Sequence, residues 1–248
     1  MDMVASMTRG ARVPAANLHA MHRVTIEING EGVPGVLAVP DSGSGPAVIV
    51  IQEWWGLVPH IADLVERFAA EGFVALAIDH YRGKTTTEPD EAQKLMLGVR
   101  IPQIMDDLSA AANWLVARPE VVGDDVRVVG FCMGGGLALL GPTANPKITC
   151  AVAFYPATPW PDYSPNWSAY SGRCAIVHKA ASDEEHAGPM IAAAAAAIKA
   201  AGGSLVAYEY PGTQHAFFND TRPEVFDPAA SELAWERTLA AFRDDSCC

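Results

Sequence analysis

Hydrophobic positions along the chain follow the two-residue period of strands in some segments and the helical period in others. Strands are predicted at eight places: 22–28, 33–39, 47–51, 73–78, 125–129, 148–155, 174–178 and 205–210. Helices are predicted over 60–71, 89–97, 102–117, 190–201 and 228–242. The first two strands flank Asn29-Gly30, a strong hairpin signal. Strands that then alternate with helices indicate an α/β fold, a mostly parallel, doubly wound sheet of about eight strands with helices on both faces.

The segment 126–140 combines a strand signal, a very tight turn and a helix signal. A β-branched run leads into Gly130, Cys132 follows, and three glycines from Gly134 open an apolar, helix-forming stretch. This order predicts a nucleophile elbow that carries cysteine where serine is usual. At the N-terminus of a helix, backbone N–H groups favour a thiolate and a developing oxyanion. The alternative is a buried structural cysteine before a glycine-rich helix.

Composition narrows the class of protein. A chain of 248 residues that is 50% hydrophobic can bury one large core, so we expect an N-terminal arm over 1–21 and a single domain over 22–248. The net charge of −12 argues against nucleic acid and anionic membrane surfaces as partners. An anionic small-molecule substrate would therefore need a local basic patch. Composition leaves a monomer or a dimer open.

Cysteine spacing and hydropathy indicate the compartment. The cysteines at 132, 150, 174, 247 and 248 show neither a disulfide framework nor zinc-ligand spacing. The chain also lacks a signal-peptide core and any run of about 18 apolar residues. We therefore expect reduced thiols and a cytoplasmic protein, with Cys247 and Cys248 in a frayed tail.

Ligands of such sheets lie at the carboxyl ends of the strands. Positions directly after strands include Glu53, Cys132, Asp183 and His215. A thiol nucleophile needs a base and an acid that orients the base, and the order nucleophile, Asp, His is that of an α/β-hydrolase.

Each member of this predicted triad has competitors. His215 follows the last strand, and the other histidines are His19, His22, His60, His80, His178 and His186. Glu184 is the alternative to Asp183, which is also a plausible helix N-cap. Topology favours His215 as the base and Asp183 as its orienting acid.

Four motifs together resemble the dienelactone hydrolase family, the carboxymethylenebutenolidases. They are Gln52-Glu53-Trp54-Trp55-Gly56, the elbow Gly130-Phe131-Cys132-Met133-Gly134-Gly135, Asp183, and Gly212-Thr213-Gln214-His215-Ala216-Phe217. The resemblance covers residues 22 to 243 and implies a single-domain α/β-hydrolase that needs no metal or organic cofactor. It also implies opening of the dienelactone ring to maleylacetate, in the breakdown of catechols and chlorocatechols.

The resemblance implies a role for Glu53 beside the nucleophile. A neighbouring carboxylate keeps the thiol neutral at rest, since two anions in a poorly solvated site are costly, and it accepts the thiol proton when substrate binds. The alternative for Glu53 is a salt bridge at a strand end. Backbone N–H groups of Met133 and Trp54 are the expected oxyanion hole. Trp54 and Trp55 are candidates for the acyl pocket, although plain packing is the commoner role.

The chain departs from the family at the two positions that bind the substrate carboxylate. Dienelactone-hydrolysing members use an arginine in the loop after the fourth strand and another four residues beyond the catalytic histidine, where this chain has Gly83 and Asn219. Nearby cations are Arg82, Lys84 and Arg222. Either these displaced cations bind the substrate carboxylate instead, or the substrate is not dienelactone.

The remaining substrate-binding candidate is Tyr81, which shares the loop 79–84 with those cations. The Pro/Trp/Tyr-rich segment 157–172 is a candidate pocket wall. The leading hypothesis is a cysteine hydrolase of esters or lactones, with a broad-specificity carboxylesterase as the alternative on the same scaffold. A thiol redox sensor and a non-catalytic binding module are remote alternatives.

Overall fold

The computed structural model describes residues 21–158 and 163–243. Its eight strands are β1 (His22–Ile28), β2 (Glu31–Ala38), β3 (Gly45–Ile51), β4 (Val74–Ile78), β5 (Val121–Phe131), β6 (Ile148–Phe154), β7 (Cys174–Ala180) and β8 (Ser204–Tyr210). Its helices are α1 (Pro59–Ala70), α2 (Pro89–Leu97), α3 (Ile101–Val116), α4 (Met133–Ala144), α5 (Glu184–Ala200) and α6 (Pro228–Arg243), with short 3-10 helices at Trp167–Tyr170 and Ala181–Asp183.

The strands form one sheet in the order β1-β2-β4-β3-β5-β6-β7-β8. β1 pairs antiparallel with β2, β2 pairs antiparallel with β4, and all later neighbours are parallel. The predicted α/β architecture with an opening hairpin is therefore confirmed. β3 and β5 lie side by side near the middle of the sheet, so the loops that follow them meet at one edge.

The predicted boundaries differ from the structure mainly at two places. β5 begins at Val121 and not at 125, because the turn-like Gly123-Asp124-Asp125 stretch is accommodated by a register shift against β3. α5 begins at Glu184 and not at 190, although Pro189 lies inside it. Proline at this sixth helical position removes a hydrogen-bond donor, but Ala187, Ile191 and Ile198 on either side of it are buried in the core, and this packing outweighs the loss. The arm over 1–20 and the tail with Cys247 and Cys248 lie outside the described residues, so the domain division stays a prediction.

Both faces of the sheet are covered by apolar side chains. On β3, Ile49 and Ile51 join one core cluster with residues of α3, α4 and α5. Val48 and Val50 point to the other face, where they pack with α1 and α6 in a second cluster. A strand buried on both faces has to be continuously apolar, which explains the sequence of β3.

Hydropathy in the described part of the chain gives no membrane span. None of the helices over 21–158 and 163–243 combines the length and the apolar character needed to cross a bilayer.

A buried histidine joins β7, β8 and α6. His178 is fully buried, its Nδ1 lies 2.8 Å from the Tyr210 hydroxyl oxygen, and its Nε2 lies 3.0 Å from Thr238 Oγ1. Burial, with Arg237 nearby, lowers the pKa of His178 from 6.5 to about 3. The imidazole is therefore neutral in the folded protein at physiological pH.

This histidine should make the protein acid-sensitive. Between pH 6.5 and pH 3 the unfolded chain binds a proton at His178 that the folded chain does not, so stability is full above 6.5 and falls below it. The expected loss is about 2 kcal/mol at about pH 5. Urea unfolding of wild type and His178→Gln across this range should show a flatter pH dependence in the variant. His186→Gln, at an exposed site, is the control, and equal slopes in wild type and His178→Gln would refute the assignment.

Candidate active site

Cys132 occupies a sharp turn between β5 and α4. Its backbone is in the left-handed region, with φ 54° and ψ −117°, and its N–H donates to the Phe154 carbonyl at 3.0 Å. A Cβ on Gly130 would lie 1.9 Å from the Gly134 carbonyl oxygen, and one on Gly134 would lie 2.5 Å from the Ile51 carbonyl oxygen. Only glycine fits at these two positions, so the sequence pattern around Cys132 follows from backbone contact.

His215 and Asp183 meet at the same edge of the sheet. Asp183 follows β7, His215 follows β8, and His215 Nδ1 lies 2.8 Å from Asp183 Oδ2. Asp183 is at the N-cap position of α5 but makes no side-chain cap hydrogen bond. Ser182, which sequence reasoning did not single out, accepts a hydrogen bond from the His215 backbone N–H at 3.0 Å and donates to Asp183 Oδ1 at 3.2 Å. The carboxylate of Asp183 is thus oriented toward the histidine.

The imidazole of His215 lies close to Cys132, and both line the same cavity. Burial alone would lower the pKa of His215, but the hydrogen bond to Asp183 and the neighbouring sulfur of Cys132 outweigh burial and raise it from 6.5 to about 10. The surroundings of His215 therefore favour the imidazolium form, which can give a proton to a leaving group.

Glu53 is 2% exposed and is held by neutral groups. The Tyr155 hydroxyl donates to Oε1 at 3.4 Å and the Asn219 amide donates to Oε2 at 3.1 Å. Burial raises the pKa of Glu53, and the nearby His215 and the amide of Asn219 only partly offset that effect. A carboxyl group in this setting exchanges a proton more readily near neutral pH than an exposed one.

The amide of Asn219 has a fixed orientation. Its Oδ1 accepts hydrogen bonds from Thr221, from the backbone N–H at 3.1 Å and from the hydroxyl at 2.6 Å. Two donors on Oδ1 leave Nδ2 to face Glu53. Neither Tyr155 nor Thr221 was singled out from sequence; Tyr155 follows β6 with φ 36°, so its position directly after a strand was the available signal.

One cavity of about 230 Å³ brings most of the predicted site residues together. It is lined by Glu53, Trp54, Trp55, Met96, Cys132, Ala157, His215, Ala216 and Arg222. Met133 begins α4 directly after Cys132, which places its backbone N–H at the N-terminus of that helix. Cys132, His215 and Glu53 thus share one small space.

The structure does not bring all the candidate cations to this cavity. Arg82 makes two hydrogen bonds of 2.8 Å to Asp107 and lies 3.4 Å from Glu31, and these contacts orient its guanidinium away. Lys84 is exposed and does not line the cavity. Arg222 does line it, with its Nε 2.9 Å from Glu224 Oε1.

Tyr81 also lies beside the site without lining the cavity. Its hydroxyl donates to Met133 Sδ at 3.0 Å, so it contacts the first residue of α4. This position makes it a support of the elbow in the described structure.

The described residues that competed with His215 and Asp183 either have other partners or are exposed. His60 lies 3.6 Å from Asp220, and His80 lies 3.5 Å from Asp107. His178 is buried in the contacts described above, His22 and His186 are exposed, and His19 lies outside the described residues. Glu184 pairs with Lys179. Among the residues that the structure describes, no group of three or more His, Cys, Asp or Glu side chains could hold a metal ion.

The sheet order and the strand–elbow–helix arrangement define an α/β-hydrolase. Within this class the chain belongs to the dienelactone hydrolase family, whose model matches residues 33–246. "Protein usf" of Aquifex pyrophilus is 34% identical over 229 residues, which cover 89% of this chain and 97% of the relative. The "Putative carboxymethylenebutenolidase" of Aquifex aeolicus is 29% identical over 228 residues, 89% of this chain and 96% of the relative.

A solved structure is similar over most of its length. The "Putative Dienelactone Hydrolase" of Klebsiella pneumoniae aligns with a TM-score of 0.77 and 28% identity, covering 89% of this chain and 96% of that one. Together these findings identify the protein as a hydrolase that acts on carboxylic ester or lactone bonds.

Proposed function

We propose that the protein is a cysteine-dependent hydrolase in which Cys132, His215 and Asp183 act as nucleophile, general acid–base and orienting acid. The observation that carries this proposal is that His215 is bonded to Asp183 at 2.8 Å and lines the same small cavity as Cys132, whose sulfur affects its charge. This is the arrangement that a nucleophile, its base and the orienter of that base require.

The first half-reaction forms a thioester. Cys132 gives its proton to Glu53, the thiolate Sγ attacks the carbonyl carbon, and the carbonyl oxygen takes up the negative charge. His215 enters this step as the imidazolium. The backbone N–H groups of Met133 and Trp54 are the proposed oxyanion donors. The C–O bond then breaks as His215 gives the proton to the departing alcohol or enol oxygen.

The second half-reaction regenerates the thiol. Water attacks the thioester carbon while His215 takes its proton, and the C–S bond breaks to release the acid. Glu53 returns the thiol proton to the sulfur, and His215 is left as the imidazolium. Asp183 accepts the hydrogen bond from Nδ1–H throughout, so that Nε2 faces the reacting atoms.

Glu53 is proposed to keep the thiol of Cys132 protonated until substrate binds. A second anion in this small cavity would be costly, so a carboxylate on Glu53 favours the neutral thiol at rest. Substrate that alters the surroundings of Glu53 lets it accept the thiol proton. A thiolate present mainly with substrate bound limits oxidation of Cys132.

Two substrate classes follow from the family and the site. The family supports dienelactone, opened to maleylacetate in aromatic catabolism. The distribution of cations favours a neutral carboxylic ester, because Arg82 is bound to Asp107 and Arg222 is shared with Glu224. At the family's second arginine position this chain presents the neutral Asn219, which is bonded to Glu53.

The decisive measurement is kcat/KM for cis- and trans-dienelactone beside a neutral aryl acetate, on wild type and Arg222→Gln. If Arg222 binds a substrate carboxylate, the variant loses about tenfold or more on the lactones and within about twofold on the acetate, since charge-assisted pairs contribute roughly 1.5–3 kcal/mol. Lys84→Gln is the control, because Lys84 does not line the cavity. A wild type that prefers the acetate, with both variants unaffected, identifies a carboxylesterase on this scaffold.

Other placements and roles are less well supported. Cys150 and Cys174 lie 3.6 Å apart, sulfur to sulfur, on β6 and β7, which is away from the elbow and disfavours a redox role for Cys132. We also propose a cytoplasmic location, from the cysteine pattern, and a small-molecule substrate, with a monomer or a dimer left open.

A further inference from the structure

A second, larger cavity adjoins the reaction cavity. It has a volume of about 420 Å³, and its lining includes Trp55, Val58, Pro59, Thr87, Asn219 and Arg222. We call it the distal groove. It shares Trp55 and Arg222 with the reaction cavity, so the two spaces meet at those side chains.

The walls of the distal groove continue the loops of the proposed catalytic site. One wall is the segment from Trp55 into α1, directly after Glu53 and Trp54. A second is the loop 84–87, which is fixed because the Thr86 N–H donates to the Trp55 carbonyl at 3.1 Å. A Cβ on Gly56 would lie 2.5 Å from the Lys84 carbonyl oxygen, so these two segments are in backbone contact.

The third wall is the turn 219–222, which follows His215 and is closed by a hydrogen bond of 3.0 Å from the Arg222 N–H to the Asn219 carbonyl. The groove is therefore built by the same loops that hold Glu53 and His215. Such continuity suits a ligand that spans both spaces.

The chemistry of the groove suits an uncharged ligand. Trp55, Val58 and Pro59 present apolar surface, and Thr86 and Thr87 add small hydroxyl-bearing side chains. The charge of Arg222 is matched by Glu224 at 2.9 Å. His60 is 4% exposed, and burial lowers its pKa, which disfavours a second cation there.

We propose that the distal groove binds an uncharged, mainly apolar part of the substrate, which extends from the scissile bond past Trp55 and Arg222. This inference rests on the proposed catalytic role of Cys132. The apolar part is either the acyl chain or the alcohol group, because both extend from the same carbonyl carbon. The preferred substrate is then longer than a compact six-carbon molecule such as dienelactone.

The test is a chain-length series measured in two arms. One arm extends the acyl chain of p-nitrophenyl esters from acetate to octanoate, and the other extends the alcohol of acetate esters. In the arm that uses the groove, kcat/KM should rise by about threefold per methylene until the groove is filled, as expected for partial burial of apolar surface. The arm that does not use the groove should stay flat.

Thr87→Trp fills the groove and should remove most of the preference for long chains over acetate. Asp90→Trp, an exposed site at the start of α2, and Ala193→Trp, in a separate apolar cavity lined by α4 and α5, should keep the wild-type ratio. Flat series in both arms, or loss of the ratio in Ala193→Trp and not in Thr87→Trp, would overturn the proposal. Hydrolysis of every ester by Cys132→Ala would instead refute the proposed nucleophile, so the two failures are distinguishable.

Discussion

Replacement of Cys132 by alanine is expected to lower kcat/KM on esters and lactones by at least about 10⁴-fold. The reason is that the covalent route is lost, while the oxyanion donors and the cavity provide only residual catalysis; removal of a nucleophile from a triad typically costs about 10⁴- to 10⁶-fold. The measurement is steady-state hydrolysis of an aryl acetate. Mass spectrometry after a rapid quench should find an acyl adduct on Cys132 in wild type.

The matched control is Cys150→Ala, because Cys150 is buried on β6 away from the elbow. It should keep activity within about threefold, as expected for a small buried substitution remote from the site. Circular dichroism of both variants separates loss of chemistry from loss of fold. Undiminished activity in Cys132→Ala would refute the proposed nucleophile outright.

Asp183→Asn is expected to lower kcat/KM by roughly 10³- to 10⁴-fold without loss of the fold. An amide can hold His215 in the wrong tautomer, so that Nε2 is no longer placed to give a proton to the leaving group and to take one from water. The pH profile supplies a second readout. In wild type the imidazolium persists until pH nears the His215 pKa of about 10, so kcat/KM should fall only above that value.

Loss of the Asp183 carboxylate removes the first of the contacts that raise the His215 pKa. The alkaline limb of Asp183→Asn should therefore move down, by at least about one pH unit. Glu184→Gln is the matched control, because Glu184 is the neighbouring carboxylate and pairs with Lys179. An Asp183→Asn enzyme with wild-type rate and profile, or a Glu184→Gln enzyme that loses both, would contradict the assignment.

Sequence patterns predicted the fold because the strands of the parallel sheet are short apolar runs with turn residues at their ends. They failed at the start of β5 and at the start of α5 for one shared reason. Gly123 and Pro189 have low propensity for strand and helix, and in both places pairing or packing in the folded protein outweighs local preference.

The main residues of the candidate site were predictable because chain order and strand ends constrain them. The residues that hold Glu53 were not predictable. Tyr155 contacts Glu53 across 102 residues of sequence, and Thr221 acts only by fixing the orientation of the Asn219 amide. Arg82 is a case in which the sequence suggested more than the fold supports. Its sequence position suggested substrate binding, yet only the fold reveals that Asp107 occupies its guanidinium.

The backbone contacts at the elbow have a consequence for how such enzymes diversify. Gly130, Gly134 and Gly136 each meet neighbouring backbone so closely that a single added carbon has no room. We therefore expect Cys132 to keep its position against the sheet while the loops at 84–87 and 219–222 change in length and in side chains. Laboratory evolution for new esters should thus accumulate substitutions in those loops and almost none among these glycines.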